Sequence, residues 1–225
     1  MIKAVLLDVD NTLLDFNLCA TESVRLSAED MNLTLPDNIM DSFFAVNKVM
    51  WQEIEKGSLT REELHKTRFV RVFERAGVKA DGVAFEQLFI SHVKESAVHV
   101  DGAKDLLDYL KDKYILCTAS NASAFQQKNR LTRAGFIDYF EHLFISEEVG
   151  APKPSQKFFA ACKERLDPIN KDEMIMIGDS LTADIYGAGE FGIKTCFYNH
   201  DKIPVPAGLA CDYIVNSLDE IKEIL

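Results

Sequence analysis

Two aspartates, Asp8 and Asp10, stand where the apolar run Val5-Leu6-Leu7 ends near the N-terminus. In an open parallel sheet, ligands bind in the crevice outside the carboxyl ends of the strands. Two carboxylates so close repel each other, so a cationic partner is expected with them, most simply Mg²⁺. Taken alone, such a triplet is more often an Asp-rich turn or a helix cap than a site. Three downstream groups add to it. Thr118 ends the run Tyr114-Ile115-Leu116-Cys117 and precedes Ala119-Ser120-Asn121 and a predicted helix. A hydroxyl with backbone N–H groups at a helix N-terminus makes an anion cradle, although an ordinary Ser/Asn cap has the same spelling. Lys153 lies between Pro152 and Pro154, which limit where its side chain can point; a solvated loop lysine is the alternative. Asp179 ends Met174-Ile175-Met176-Ile177-Gly178. It could complete a hard-cation oxygen site with Asp8 and the main-chain carbonyl of Asp10. Asp184, about one helical turn further, orients water or Lys153 in this reading, or is a first-turn acid favoured by the helix dipole.

One string is a decoy. Gly187-Ala188-Gly189-Glu190-Phe191-Gly192 spells a dinucleotide fingerprint, but it follows a predicted helix and precedes a strand, the reverse of the required order. Close helix-to-sheet packing and a helix stop explain these glycines better.

The elements that must position these groups fall into two kinds. Ile2 to Leu7 is continuous apolar sequence, as in a strand buried on both faces. Helical periodicity then dominates at about 17–32, 37–56, 60–76 and 83–96, with a capping box at Thr60–Glu63 and Gly77 as a stop. From Asp101 onward, strands at 114–118, 142–146, 173–178, 193–198 and 212–215 alternate with helices at about 103–111, 122–134, 155–166, 181–190 and 217–224. This predicts an α/β fold, a doubly wound parallel sheet built from residues 1–14 and 97–225. Residues 15–96 form a four-helix insertion in its first strand-to-helix loop. That loop leaves the sheet edge carrying Asp8 and Asp10, so the insertion is expected to act as a cap over them.

Composition narrows the partners. A net charge of −11, without a run of five basic residues, argues against a nucleic-acid polymer. No apolar run approaches the length of a membrane span, and the five cysteines are widely separated, so a cytoplasmic protein is expected. A small anionic substrate stays open if a metal and one lysine meet its charge. The five histidines form no ligand spacing.

With these motifs in order, the chain resembles the haloacid-dehalogenase-like phosphohydrolases, whose Rossmann-like core carries them as Asp8-Val9-Asp10-Asn11-Thr12, Thr118, Lys153 and Gly178-Asp179-Ser180-Leu181-Thr182-Ala183-Asp184. Finer similarity, in Asn11–Phe16, Trp51–Thr60 and Thr195–Asn199, is to the pyrimidine 5′-nucleotidases of that family, which include enzymes of non-standard nucleotides. The resemblance implies that Asp8 is the nucleophile, forming an aspartyl-phosphate, and that Asp10 is the general acid and base. It implies phosphate contacts from Thr118, the Ala119 N–H and Lys153. The Mg²⁺ would rest on Asp8, Asp10 and Asp179, with Thr12, Ser180 and Asp184 in support. Asp10 would need a proton when substrate binds, and Asp8 beside it and desolvation push it that way. At motif two Thr118-Ala119-Ser120-Asn121 replaces the common Thr-Asn-Gly; this form also occurs in sugar-phosphate phosphatases and mutases. A nucleoside monophosphate or a sugar phosphate is therefore the expected substrate. A β-phosphoglucomutase-like transferase shares every motif, whereas a dehalogenase has no need of Asp10. A phospho-aspartate switch or a binding protein on this scaffold is the non-enzymatic alternative. Phe16, Phe43, Phe44, Met50 and Trp51 either include residues facing a base or sugar, or are plain helical core.

Overall fold

Among the described residues of the computed structural model, 1–208 and 210–225, six strands pair in one parallel sheet. They are β1 (Ala4–Leu7), β2 (Ile115–Ser120), β3 (His142–Ile145), β4 (Met174–Gly178), β5 (Lys194–Tyr198) and β6 (Tyr213–Val215), in the order β3-β2-β1-β4-β5-β6. β1 and β4 are buried along their whole length, which is why they read as unbroken apolar runs without alternation. Side chains alternate between faces. Val5, Leu7, Leu116, Ile175 and Ile177 pack on one side with Leu106, Leu107, Leu110 and Leu131. Ala4, Leu6, Cys117, Met174 and Met176 pack on the other with Phe158, Phe159 and Cys162. This α/β core is the predicted class.

The chain separates into two compact units, 1–16 with 97–225, and 17–96. The second is helical, following α1 (Phe16–Asp30) with α2 (Ile39–Glu55), α3 (Arg61–Ala76) and α4 (Gly82–Val93). The capping box is present at Thr60 and Glu63, and Gly77 ends α3 at φ 72°, a conformation costly for residues with a Cβ. Its interior is aromatic: Phe43, Phe69, Phe73, Phe85 and Phe89 are buried, with Phe69 and Phe85 centroids 4.6 Å apart. Phe43 and Met50 are thus core of this unit, while Phe44, Trp51 and Phe16 are half-buried. Arg68 is buried there in a fork on Glu86, at 3.1 and 2.6 Å.

In the sheet unit the helices are α5 (Ala103–Leu110), α6 (Ala124–Arg133), α7 (Ser146–Val149), α8 (Gln156–Arg165), α9 (Gly187–Phe191) and α10 (Ile221–Ile224). Several boundaries differ from the sequence reading. β2 runs on to Ser120 because β3 pairs with Ala119 and Ser120 beyond the end of β1. The predicted 181–190 helix is a π-helical turn, Leu181–Tyr186, followed by α9. The predicted 217–224 helix shortens to one turn, since Ser217 and the Asn216 N–H bond Glu220 ahead of it. No described helix is long and apolar enough to cross a membrane.

Candidate active site

Leu7 is in register with Thr118 on one side and Ile177 on the other, and the Asp8 N–H continues the ladder to the Ile177 carbonyl at 2.9 Å. Strand order reverses at the boundary between β1 and β4, the switch point where open α/β sheets bind ligands. Asp8 and Asp179 leave the sheet on either side of it. Carboxylate oxygens of Asp8, Asp179 and Asp184 all lie within 4.8 Å of one another.

Lys153 is fully buried, with Nζ 2.7 Å from Asp8 Oδ1 and 2.6 Å from Asp184 Oδ1. Its backbone is fixed by Asn121, whose side chain accepts from the Lys153 N–H and donates to the Lys153 carbonyl, both at 2.8 Å. Asp184 is fixed in turn: its Oδ2 accepts from the Ser180 N–H at 3.0 Å, and Ser180 Oγ accepts from the Ala183 N–H at 3.1 Å. Gly178 leaves room for this, since a Cβ there would sit 2.2 Å from Asp184 Oδ2. Gly187 plays the same part beside the lysine loop, where a Cβ would meet Pro154 and Phe159 at 2.8 Å. The glycine string thus serves packing, chiefly against the Pro154 loop and α8, and Gly192 ends α9.

The electrostatics follow from burial. Asp8, Asp179 and Asp184 set three carboxylates against the single ammonium of Lys153, leaving two negative charges when all are ionised. Desolvation accordingly raises the Asp8 carboxyl from 3.8 to about 7 despite Lys153 beside it. Asp179 is also raised, by desolvation and then by the charges of Asp8 and Asp184. Burial pulls Lys153 down, but Asp184 and Asp8 more than offset it, and the ammonium is held above its ordinary range. A hard dication fits this deficit in both charge and donor type. Asp8, Asp179 and the main-chain carbonyl of Asp10 are the groups that would hold it, and Asp184 is already engaged by Lys153. Among the described residues, the buried Oγ1 atoms of Thr12 and Thr118 have no hydrogen-bond partner, so both hydroxyls are available to a ligand oxygen.

Two expectations meet different surroundings. The anion cradle was expected at the N-terminus of the helix after Thr118. That helix, α6, begins only at Ala124, whose N–H donates to Glu147 Oε2 at 2.9 Å. A carboxylate of the chain itself caps that end, and Thr118 and Ala119 lie within β2. Asp10, for its part, is not left to Asp8 and desolvation. Its Oδ2 accepts from Gln127 Nε2 at 3.0 Å, and its Oδ1 pairs with Arg130. Sequence reasoning missed Asn121, Gln127 and Arg130 as site residues. The signal for the last two was present: residues 127, 130, 131 and 134 share one buried helical face, so two polar side chains occupy core positions.

A model of the haloacid dehalogenase-like hydrolases matches residues 2–192. The chain belongs to this family. It is an enzyme, a hydrolase, and known relatives align over nearly its full length. YfnB of Bacillus subtilis, a HAD-hydrolase, is 33% identical over 99% of this chain and 95% of its own. The YfnB crystal structure, bound to magnesium, superposes with a TM-score of 0.94, covering 100% of this hydrolase and 98% of that chain. The pyrimidine 5′-nucleotidase PynA of Streptococcus pneumoniae is 33% identical over 88% of this chain and 84% of its own. The pyrimidine 5′-nucleotidase YjjG of Escherichia coli is 30% identical over 98% and 96%.

Proposed function

We propose that this phosphoric monoester hydrolase is a Mg²⁺-dependent 5′-nucleotidase acting on pyrimidine nucleoside monophosphates, non-standard ones included. One observation carries the chemistry: Lys153 Nζ is shared between Asp8 and Asp184 at 2.7 and 2.6 Å, which seats a cation beside the candidate nucleophile. Likeness to PynA and YjjG supports the substrate class. A reducing cytoplasm suits five cysteines with no disulfide among them.

In the first step an Asp8 oxygen attacks phosphorus in line. The Asp8–phosphorus bond forms as the ester bond breaks, and Asp10 gives its proton to the departing alkoxide. In the second, Asp10 takes a proton from water, which attacks the aspartyl-phosphate and releases inorganic phosphate. Lys153 offsets charge on the transferring oxygens, and Thr118 Oγ1 and the Ala119 N–H hold another. Thr12 offers its hydroxyl, and Ser180 and Asp184 keep the π-helical turn and the lysine in place. Mg²⁺, when bound, supplies charge neutralisation for the phosphate. The helical unit, inserted after Asp10, is the part of the chain we assign as a cap that selects the leaving group.

A second reading, a sugar-phosphate phosphatase or phosphotransferase, is favoured by the form of motif two. The geometry weakens that clue, because Asn121 is engaged with the Lys153 backbone. The test is phosphate release with Mg²⁺ across pyrimidine and purine nucleoside monophosphates, sugar phosphates and an aryl phosphate. Pyrimidine nucleotides should lead. A sugar phosphate far ahead of every nucleotide would overturn the nucleotidase assignment, and undiminished activity in EDTA would overturn the metal.

A further inference from the structure

We propose that Arg130 and Gln127 are positioning residues that hold Asp10 for its proton transfers; the inference rests on the phosphomonoesterase reading above. Arg130 Nη1 pairs with Asp10 Oδ1 and donates to Gln127 Oε1 at 3.1 Å. Gln127 Nε2 donates to Asp10 Oδ2 at 3.0 Å and to Ser120 Oγ at 2.8 Å. Each carboxylate oxygen thus has its own donor on α6, and Ser120 ties that donor pair to the end of β2. The Arg130 side chain is 0% exposed, whereas that of Asp10 is 31% exposed. The anchor is therefore in the core and the carboxyl it holds reaches solvent.

Stability alone is a poor reason for this arrangement. Burying a guanidinium carries a desolvation penalty, and a well-packed apolar replacement for such a pair is often neutral or stabilising. Position is a better one. A group that must both give a proton to an ester oxygen and take one from water has to stay within hydrogen-bond reach of each, and a displacement of about 1 Å can cost on the order of 100-fold in rate. Asp10 precedes Asn11, which turns the chain at φ 60°, so its side chain needs support from outside its own loop. Arg130 and Gln127 come from 120 and 117 residues away to provide it.

The proposal predicts a loss that depends on the leaving group. Only esters of weakly acidic alcohols need Asp10's proton as the phosphorus–oxygen bond breaks; p-nitrophenolate leaves unaided. Because kcat/KM reports steps up to release of the alcohol, it isolates the acid role. Arg130→Met should lower kcat/KM on the best nucleoside monophosphate by about 100-fold or more, within the usual reach of general acid catalysis, and on p-nitrophenyl phosphate by less than about fivefold. Gln127→Leu should shift the two substrates the same way, by about tenfold against almost none, and decides the matter if Arg130→Met does not fold. Asp10→Asn is the reference for the pattern. Equal losses on both esters, or no loss on either, would overturn the positioning role while leaving the phosphatase reading intact. No phosphate release by the wild type from any ester would overturn both.

Discussion

Replacing Lys153 by Met removes the ammonium and the two hydrogen bonds it donates, to Asp8 and Asp184, while keeping an unbranched side chain in a buried site. What remains is Asp8, Asp179 and Asp184 with oxygens within 4.8 Å of one another and no cation among them. Lys153 lies 2.7 Å from one of these carboxylates and 2.6 Å from another. At an effective dielectric near 20, a unit pair about 4 Å apart interacts by roughly 4 kcal/mol. Against this stands the desolvation of the ammonium, which the substitution relieves. Removing one member of a buried pair costs about 3–5 kcal/mol net, a large share of the roughly 5–15 kcal/mol that holds a domain folded.

The pH dependence gives the sharper test. Asp8 already sits at about 7, against 3.8 for an unperturbed group, and loss of Lys153 raises it further. A carboxyl raised in the folded state keeps a proton that the unfolded chain has shed, so stability falls as pH climbs from the unfolded value through the folded one. The deficit of Lys153→Met relative to wild type should therefore be larger at pH 8 than at pH 5, with Asp8 alone adding about 1.4 kcal/mol over the one pH unit above its wild-type value. Urea unfolding in EDTA at the two pH values measures it directly. A deficit that is equal at both, or below about 1 kcal/mol at pH 8, would refute the charge argument. Phosphate release should fall about 10²–10³-fold, the usual cost of one donor to a transferring oxygen.

The wild type carries a milder form of the same dependence. In EDTA its melting temperature should drop from pH 5 to pH 8, the Asp8 share of the lost stability being about 3 kcal/mol for the two pH units between 5 and its raised value, and Mg²⁺ added at pH 8 should recover it; a flat profile would contradict the three-carboxylate site. Rapid quench with a ³²P-labelled ester should trap acyl phosphate on wild-type protein and none on Asp8→Asn, and label retained by the variant would remove Asp8 as nucleophile. Asn121→Ala deletes both bonds to the Lys153 backbone, so we expect a loss of about 1–3 kcal/mol in unfolding free energy and at least a tenfold fall in kcat, with Asn121→Asp in between. Gly178→Ala forces a methyl to within 2.2 Å of Asp184 Oδ2; a cost of about 1–3 kcal/mol by denaturation, with activity falling alongside, is the expected result, and unaltered activity would show that Asp184 need not touch Lys153.

The strands could be read from the sequence because burial on both faces leaves a signal that chain-local reasoning detects. β1 and β4 are apolar without interruption, and a carboxylate at the end of such a run stands out. Lys153 stood out through its flanking prolines. The boundaries that moved did so for reasons outside the local string. β2 is longer because β3 offers partners past the end of β1, and α6 starts later because Glu147, 23 residues from Ala124, caps it. The π-helical turn at Leu181–Tyr186 shares its apolar spacing with an ordinary helix.

Arg130 and Gln127 escaped for a different reason, and it bears on how the site is charged. Pattern reading takes a polar residue on a helix as facing water, yet here the buried stripe itself is part polar. Once Arg130 is seen to pair with Asp10, the charges at the sheet edge divide into two sets, one balanced and one not. Asp10 is answered from α6 by a cation that belongs to the protein. Among the described residues, Asp8, Asp179 and Asp184 are answered by Lys153 and remain two positive charges short when all are ionised. The charge deficit that a dication would meet therefore falls on the three acids at the β1/β4 switch point and not on Asp10's carboxylate. Held by a buried arginine, Asp10 is set apart from the three carboxylates that share one lysine, which is the separation that the proposed division of roles between Asp8 and Asp10 requires.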